Sequence, residues 1–437
     1  MSPNAGTVFA DWVRLGHRLE PGVRITIERG RIARIDTGAR PQHGESRHAL
    51  LLPAFHNAHS HAFQWAMRGA TQHLDPGHPD DDFWSWRERM YAVAMRFTPD
   101  EAYAVALECY RAMVAHGYVS VGEFHYLHRQ PDGALYEPMS RLAVAHVEAA
   151  RDAGIRIALI PVAYERGGVG RPLAPNQVRF DTTDADTYLR LLDAIRADAT
   201  GDHVSIIPGC HSIRACSAAT IRTVAALAAA ERLPFHIHAC EQRRELRESL
   251  EEYGAEPLLV LEQLGALGPR TTIVHGTHLA HDDLDRLQRT GTTVCACPTT
   301  ERDLGDGFIE ARQLLRRGIP IAIGTDSQTS VSPREELRLL EYHERLRAER
   351  RNALTVPERN LLAPRDALLP MGSLHGARSL GLDSGEIEVG RAADLVAFDA
   401  ALPRVGDAET LLDAWLFCDP APRLAAVYRD GRRIIAA

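Results

Sequence analysis

Residues 48–61 read HALLLPAFHNAHSH, an apolar run whose far end carries His56, His59 and His61. An apolar stretch without polar alternation reads as a strand covered on both faces, the texture of a parallel sheet under helices. It recurs at 118–127 (YVSVGEFHYL), 156–165 (RIALIPVAYE), 204–214 (VSIIPGCHSIR), 234–240 (PFHIHAC), 271–279 (TTIVHGTHL), 292–300 (TTVCACPTT) and 320–326 (PIAIGTD). Longer amphipathic stretches lie between, among them 98–116, 137–153, 216–232 and 334–351, the first opening on a Thr98-Pro99 start signal. Eight such strands alternating with helices predict an α/β fold, a (β/α)8 TIM-type barrel. An open doubly wound sheet is the competing architecture. In a barrel the active site lies at the C-terminal ends of the strands, where this sequence concentrates its polar residues.

The chain ends differ in texture. VRITIERG (23–30) and RIARIDTG (31–38) alternate with a period of two, as do GEIEVGRAADLVAFD (385–399) and RLAAVYRDGRRIIAA (423–437), and Asp430-Gly431 is a hairpin signal. Residues 1–50 together with 385–437 are therefore expected to build one small β-sandwich-like domain beside a barrel over 51–384. With 437 residues, 45% of them hydrophobic, the chain has ample material for a core, which excludes a disordered protein. A net charge of −8 argues against nucleic acid as a partner. No apolar run approaches the roughly 18 residues of a membrane helix, and the first residues lack a signal peptide's apolar core. The seven cysteines form no CxxC pair and read as reduced thiols, so the expected location is the cytoplasm. The Lys+Arg total of 50 is entirely arginine. Lysine chemistry, including a carbamylated-lysine metal bridge, is thereby excluded.

In a strand, residues two apart share a face, so His59 and His61 converge while His56 points away and reads as structural. Two imidazoles on one face suit a borderline metal such as Zn²⁺; a structural or surface pair is the alternative. His236 and His238 repeat the pattern, with His238 nearer the strand end and His236 a deeper core residue. Glu241 follows, either as a carboxylate swung over the site or as the first acid of the charged helix behind it. His275 and His278 end the next strand. Asp326 closes the last one with a buried carboxylate, which needs a cation, a metal or hydrogen-bond donors.

This set of strand ends resembles the amidohydrolase superfamily of metal-dependent hydrolases and deaminases. Without lysine, the resemblance is to its single-metal branch. It implies one Zn²⁺ (or Fe²⁺ or Mn²⁺) held by His59, His61, His238 and Asp326, with Glu241, His275 and Asp326 as the catalytic proton-handling groups. The segments HSHAFQWAMRG, FWSWRERMY, GYVSVGEFHYLHR, HSIR, HIHACEQ, TTERDLGDGF and GTDSQTSVSPREELRLLEYHERLRAERRN further resemble those members that deiminate a linear amidine on a small dicarboxylate. Cys240, Gln328 and the 299–307 loop depart from that pattern. The resemblance implies substrate contacts at Gln64, Tyr126 and His211. Arg214, following a strand on the catalytic face, and Arg87, on the excursion after the first strand, are the candidate carboxylate clamps. Trp84 and Trp86 read as packing on the barrel rim, with a lid as the alternative, and Cys295 and Cys297 as core. A homodimer that binds neither nucleic acid nor membrane is expected. The competing functions are a guanine- or adenosine-type deaminase of the same branch and a non-catalytic scaffold barrel.

Overall fold

The run at 48–61 divides into two strands that belong to different sheets. The computed structural model describes residues 6–74, 81–399, 401 and 407–436. Within it, β1 (Gly6–Leu15), β2 (Arg18–Glu28), β3 (Arg31–Asp36) and β4 (Ser46–Pro53) precede the first barrel strand, β5 (Phe55–Ser60). The chain changes partners at Pro53, which has no N–H to donate to a ladder. Ala54 N–H then donates to Asp394 O at 3.0 Å and Phe55 N–H to Gly117 O at 3.2 Å.

The barrel continues through β6 (Tyr118–His125), β7 (Arg156–Ala163), β8 (Val204–Ile206), β9 (Gly209–Ser212), β10 (Phe235–Ala239), β11 (Thr271–His275), β12 (Thr293–Ala296) and β13 (Ile321–Ile323). These strands are parallel, in the order β13-β12-β11-β10-β9-β7-β6-β5, with β8 paired to β7. The stretch 204–214 thus also divides in two, at Pro208, and its halves occupy one barrel position. Closure runs between the two histidine- and aspartate-bearing ends: Thr325 and Asp326 N–H donate to His59 O at 3.0 and 3.1 Å, and His61 N–H to Asp326 O at 3.1 Å. Asp326 is therefore held against the HxH strand by backbone as well as side chain.

The helices follow the sequence signals closely. Pro99–Ala115 starts at a capping box: Thr98 Oγ1 accepts from Glu101 N–H at 3.2 Å and Glu101 Oε2 from Thr98 N–H at 2.8 Å. Ala218–Ala230 starts at Ser217, and Pro333–Ala348 at Ser332. The stretch expected to be helical from 137 starts at Arg141, after Pro138. No helix among the described residues is long and apolar enough to cross a membrane.

The chain ends meet in one seven-stranded sheet, completed by β14 (Leu395–Asp399), β15 (Arg423–Arg429) and β16 (Arg432–Ala436), in the order β16-β15-β14-β4-β1-β2-β3. Asp430 and Gly431 join β15 to β16 with φ of +49° and +71°, the positive values a type I′ turn demands. Arg156 on β7 fastens this sheet to the barrel by pairing with Asp394 at 3.0 Å and Asp430 at 2.8 Å. His56, facing away from the barrel mouth, hydrogen-bonds Ser120 Oγ at 2.7 Å and Ser384 Oγ at 3.2 Å, a structural position.

Candidate metal centre and active site

His59, His61, His238 and Asp326 are all buried, and one potential ligand atom from each lies within 4.8 Å of the others. His59 Nε2 is 3.2 Å from His61 Nε2, 3.1 Å from His238 Nε2 and 3.3 Å from Asp326 Oδ1. The other ring nitrogens settle the tautomers. His61 Nδ1–H donates to Phe124 O at 2.9 Å and His238 Nδ1–H to His211 O at 3.0 Å, the tautomer that turns an Nε2 lone pair of each ring inward. Two lone pairs and a carboxylate then converge on His59 Nε2. One proton there cannot satisfy three acceptors, whereas a divalent cation can. The donor set fits a metal.

The electrostatics agree. Burial drives His59 down to about 3, with little relief from Asp326, and holds His238 well below its ordinary value, reinforced by neighbouring imidazoles. Burial would raise Asp326, but the adjoining His59 and His61 rings outweigh it and hold the carboxyl well below the usual range. A second buried trio, His275, Cys297 and Glu301, also has ligand atoms within 4.8 Å of one another. There burial pushes both the Cys297 thiol and the Glu301 carboxyl up. Burial thus disfavours the thiolate that a metal would need at Cys297.

Around the four ligands the backbone is bent into the left-handed region at Cys240 (φ +56°), His275 (+75°), Asp326 (+49°) and Gln328 (+66°). Such residues cost about 1–3 kcal/mol each and persist only where surroundings impose them. Here the braces are visible. Glu245 accepts from the N–H groups of Cys240 (3.0 Å) and Glu241 (3.2 Å), and Gln328 Nε2 donates to Ser60 Oγ and Asp326 O, both at 2.9 Å. Glu123 accepts from Ser60 Oγ at 2.7 Å and Ala62 N–H at 2.8 Å, fixing the chain on both sides of His61.

Over this centre lies a cleft, and every one of Gln64, Arg87, Tyr126, His211, Arg214, Glu241 and His275 lines it. Glu241 Oε1 is 3.6 Å from His275 Nε2, which is 3.9 Å from Asp326 Oδ2. Burial would lower His275, but Glu241, Glu301 and Asp326 outweigh it and lift the imidazole to about 10. The two arginines differ. Arg214 Nη2 donates to Glu241 Oε2 at 2.7 Å, and its Nε is 3.6 Å from Glu245. Arg87 lies over Trp84 (4.5 Å) and Tyr91 (5.3 Å) and pairs with no carboxylate among the described residues. Gln64 Nε2 donates to Tyr126 OH at 3.0 Å, leaving its Oε1 buried without a partner. Trp86 reaches the cleft wall as well as packing on the rim. His236 donates to Ser379 O at 2.8 Å, as a core residue does. Glu301, Glu245 and Glu123 were not found from the sequence. They follow or interrupt apolar strands as Glu241 does, but nothing in their spacing separates them from surface acids.

The profile of the amidohydrolase family, so described, matches residues 50–434. The chain belongs to the amidohydrolase family. This amidohydrolase is 36% identical to formimidoylglutamate deiminase of Pseudomonas aeruginosa over 434 residues, covering 98% of this chain and 94% of that protein. It is 26% identical to 5'-deoxyadenosine deaminase of Methanothermobacter thermautotrophicus over 391 residues, 87% and 82% of the two chains. The crystal structure of an amidohydrolase from Brucella melitensis superimposes with a TM-score of 0.92 at 32% identity, covering 99% of this chain and 95% of that one. As a member of this family, the protein is a hydrolase.

Proposed function

We propose that this amidohydrolase is a formimidoylglutamate deiminase, hydrolysing N-formimino-L-glutamate to N-formyl-L-glutamate and ammonia, a step of histidine degradation. The observation that carries the reading is one cleft that combines a four-ligand metal set, a carboxylate beyond it at Glu241, and an uncompensated cation at Arg87. The 36% identity to a deiminase of that name over nearly the whole chain supports it.

A divalent ion on His59, His61, His238 and Asp326 supplies Lewis acidity and brings the pKa of a water towards about 7. The protein's own groups do the rest. Asp326 accepts the proton leaving the attacking water, whose oxygen bonds to the formimino carbon, and His275, held protonated by its carboxylate neighbours, donates a hydrogen bond that orients that oxygen. Glu241, on the far side of His275, shuttles to the terminal nitrogen the two protons that the water gives up, the first on attack and the second as the C–OH becomes C=O. The C–N bond breaks, ammonia leaves and a formyl C=O remains. Arg214 holds the Glu241 carboxylate in place and partly neutralises it. Arg87 receives a substrate carboxylate, and Gln64 Oε1 accepts a hydrogen bond from a substrate N–H.

The aromatic wall of Trp86, Tyr91, Tyr126 and Tyr164 favours, as second reading, a purine-type deaminase. Ammonia release by the zinc-reconstituted protein from N-formimino-L-glutamate, guanine and adenosine tests both. Turnover of the dicarboxylate alone is the expected result. Turnover of a purine alone would replace the first reading with the second.

A further inference from the structure

At the end of the barrel opposite the catalytic cleft, a second cleft of about 400 Å³ opens between the terminal sheet and the N-terminal sides of β5 and β13, where Pro53 and Pro320 line it. Leu315, Ile319, Leu361 and Ile387 give it apolar lining. Arg14, Arg359 and Arg378 bring positive charge to it, alongside His17, His375, Asp366 and Glu386. None of these three arginines forms an ion pair with a described residue.

Arg14 is the unusual member. It is 4% exposed, its Nε donates to Gly16 O at 3.0 Å, and both terminal nitrogens are buried without a hydrogen-bond partner. Burial draws its guanidinium down to about 10, only partly opposed by Asp366 and Glu409. A buried guanidinium with two unpaired donors is strongly unfavourable unless something meets it. The wall beside it is a single π-helical turn, Met371–His375, an irregularity that occurs frequently at functional sites. Its His375 Nδ1–H donates to Ile321 O at 2.9 Å, on the strand that leads to Asp326.

We propose that this cleft is a second ligand site, for a small organic anion whose carboxylate or phosphate group meets Arg14, Arg359 and Arg378 and whose apolar body lies against Leu315, Ile319 and Ile387. Charge, an apolar wall and unpaired donors occur together here, as small-molecule sites require.

Isothermal titration of the zinc-loaded protein with phenyl phosphate and with benzoate tests this, with benzyl alcohol as the neutral control. At least one anion binds, and the one that does identifies the headgroup. Arg378→Ala and Arg359→Ala, at exposed positions, each weaken binding about tenfold, the loss of one charge-assisted hydrogen bond. Arg87→Met in the catalytic cleft leaves it unchanged. Arg14→Met abolishes it; should that variant not fold, the two exposed positions carry the test. Binding lost in Arg87→Met would place the anion in the catalytic cleft and overturn the proposal. So would equal affinity in both exposed-arginine variants, equal affinity for benzyl alcohol, or no binding of either anion.

Discussion

Replacing Glu241 by Gln keeps the side-chain shape and removes only the exchangeable proton and the charge. In the structure Glu241 Oε2 accepts from Arg214 at 2.7 Å and Oε1 faces His275 at 3.6 Å, while neither oxygen belongs to the set around His59. The glutamine Oε1 can still accept from Arg214, which also keeps Glu245 at 3.6 Å, so the guanidinium is not abandoned in the interior. Loss of one ion pair with its partner otherwise satisfied costs about 1–2 kcal/mol of stability, a lowered Tm but a folded protein. Turnover is affected far more. A positioned general acid is worth roughly 10²–10⁴-fold, about 3–5.5 kcal/mol of barrier. The assay is kcat for ammonia release, with metal content and Tm measured on the same preparation. The account predicts one equivalent of metal, a near-native melt and a kcat lowered at least about 100-fold. A fully metal-loaded Glu241→Gln enzyme with near-normal kcat would remove Glu241 from the proton path.

The remaining predictions separate the roles of neighbouring groups. Arg87→Met, losing a cation that holds no carboxylate, raises KM for N-formimino-L-glutamate about tenfold or more with little change in Tm. Arg214→Met instead removes the guanidinium that pairs with Glu241 and faces Glu245 in the interior, lowering stability by about 3–5 kcal/mol, as for a broken buried pair, and kcat with it. Burial holds His56 and His128 down at about 4, below an unfolded value near 6.5. The unfolded chain therefore binds more protons between these values, and stability falls as pH drops from about 6.5 to 4, by about 3 kcal/mol for each fully buried ring. Urea unfolding at pH 7 and pH 5 measures this, and His128→Gln should flatten the profile. Chelation should abolish ammonia release and lower Tm, both restored by one equivalent of Zn²⁺.

Much of this was legible because the barrel strands are apolar along their length and carry their chemistry at one end. The HxH spacing placed His59 and His61 on one face, and the same rule separated His238 from His236. What the sequence concealed was partner choice. Nothing at 48–61 says that Pro53 hands the chain from one sheet to another, because that depends on Asp394, some 340 residues away in order of magnitude, accepting from Ala54. Arg214 reads as a free clamp until the fold brings Glu241 and Glu245 against it, which shifts the uncompensated charge to Arg87. The left-handed residues at Cys240 and Asp326 follow no glycine signal; buried hydrogen bonds from Cys240 N–H to Glu245 and from Gln328 to Asp326 O hold them.

The central claim is that four side chains share one divalent ion at the barrel mouth. Anomalous diffraction from crystals of the zinc-loaded protein measures it directly. The account predicts a single peak about 2.0–2.2 Å from Nε2 of His59, His61 and His238 and from a carboxylate oxygen of Asp326. A peak at His275, Cys297 and Glu301 with none among those four atoms would contradict it.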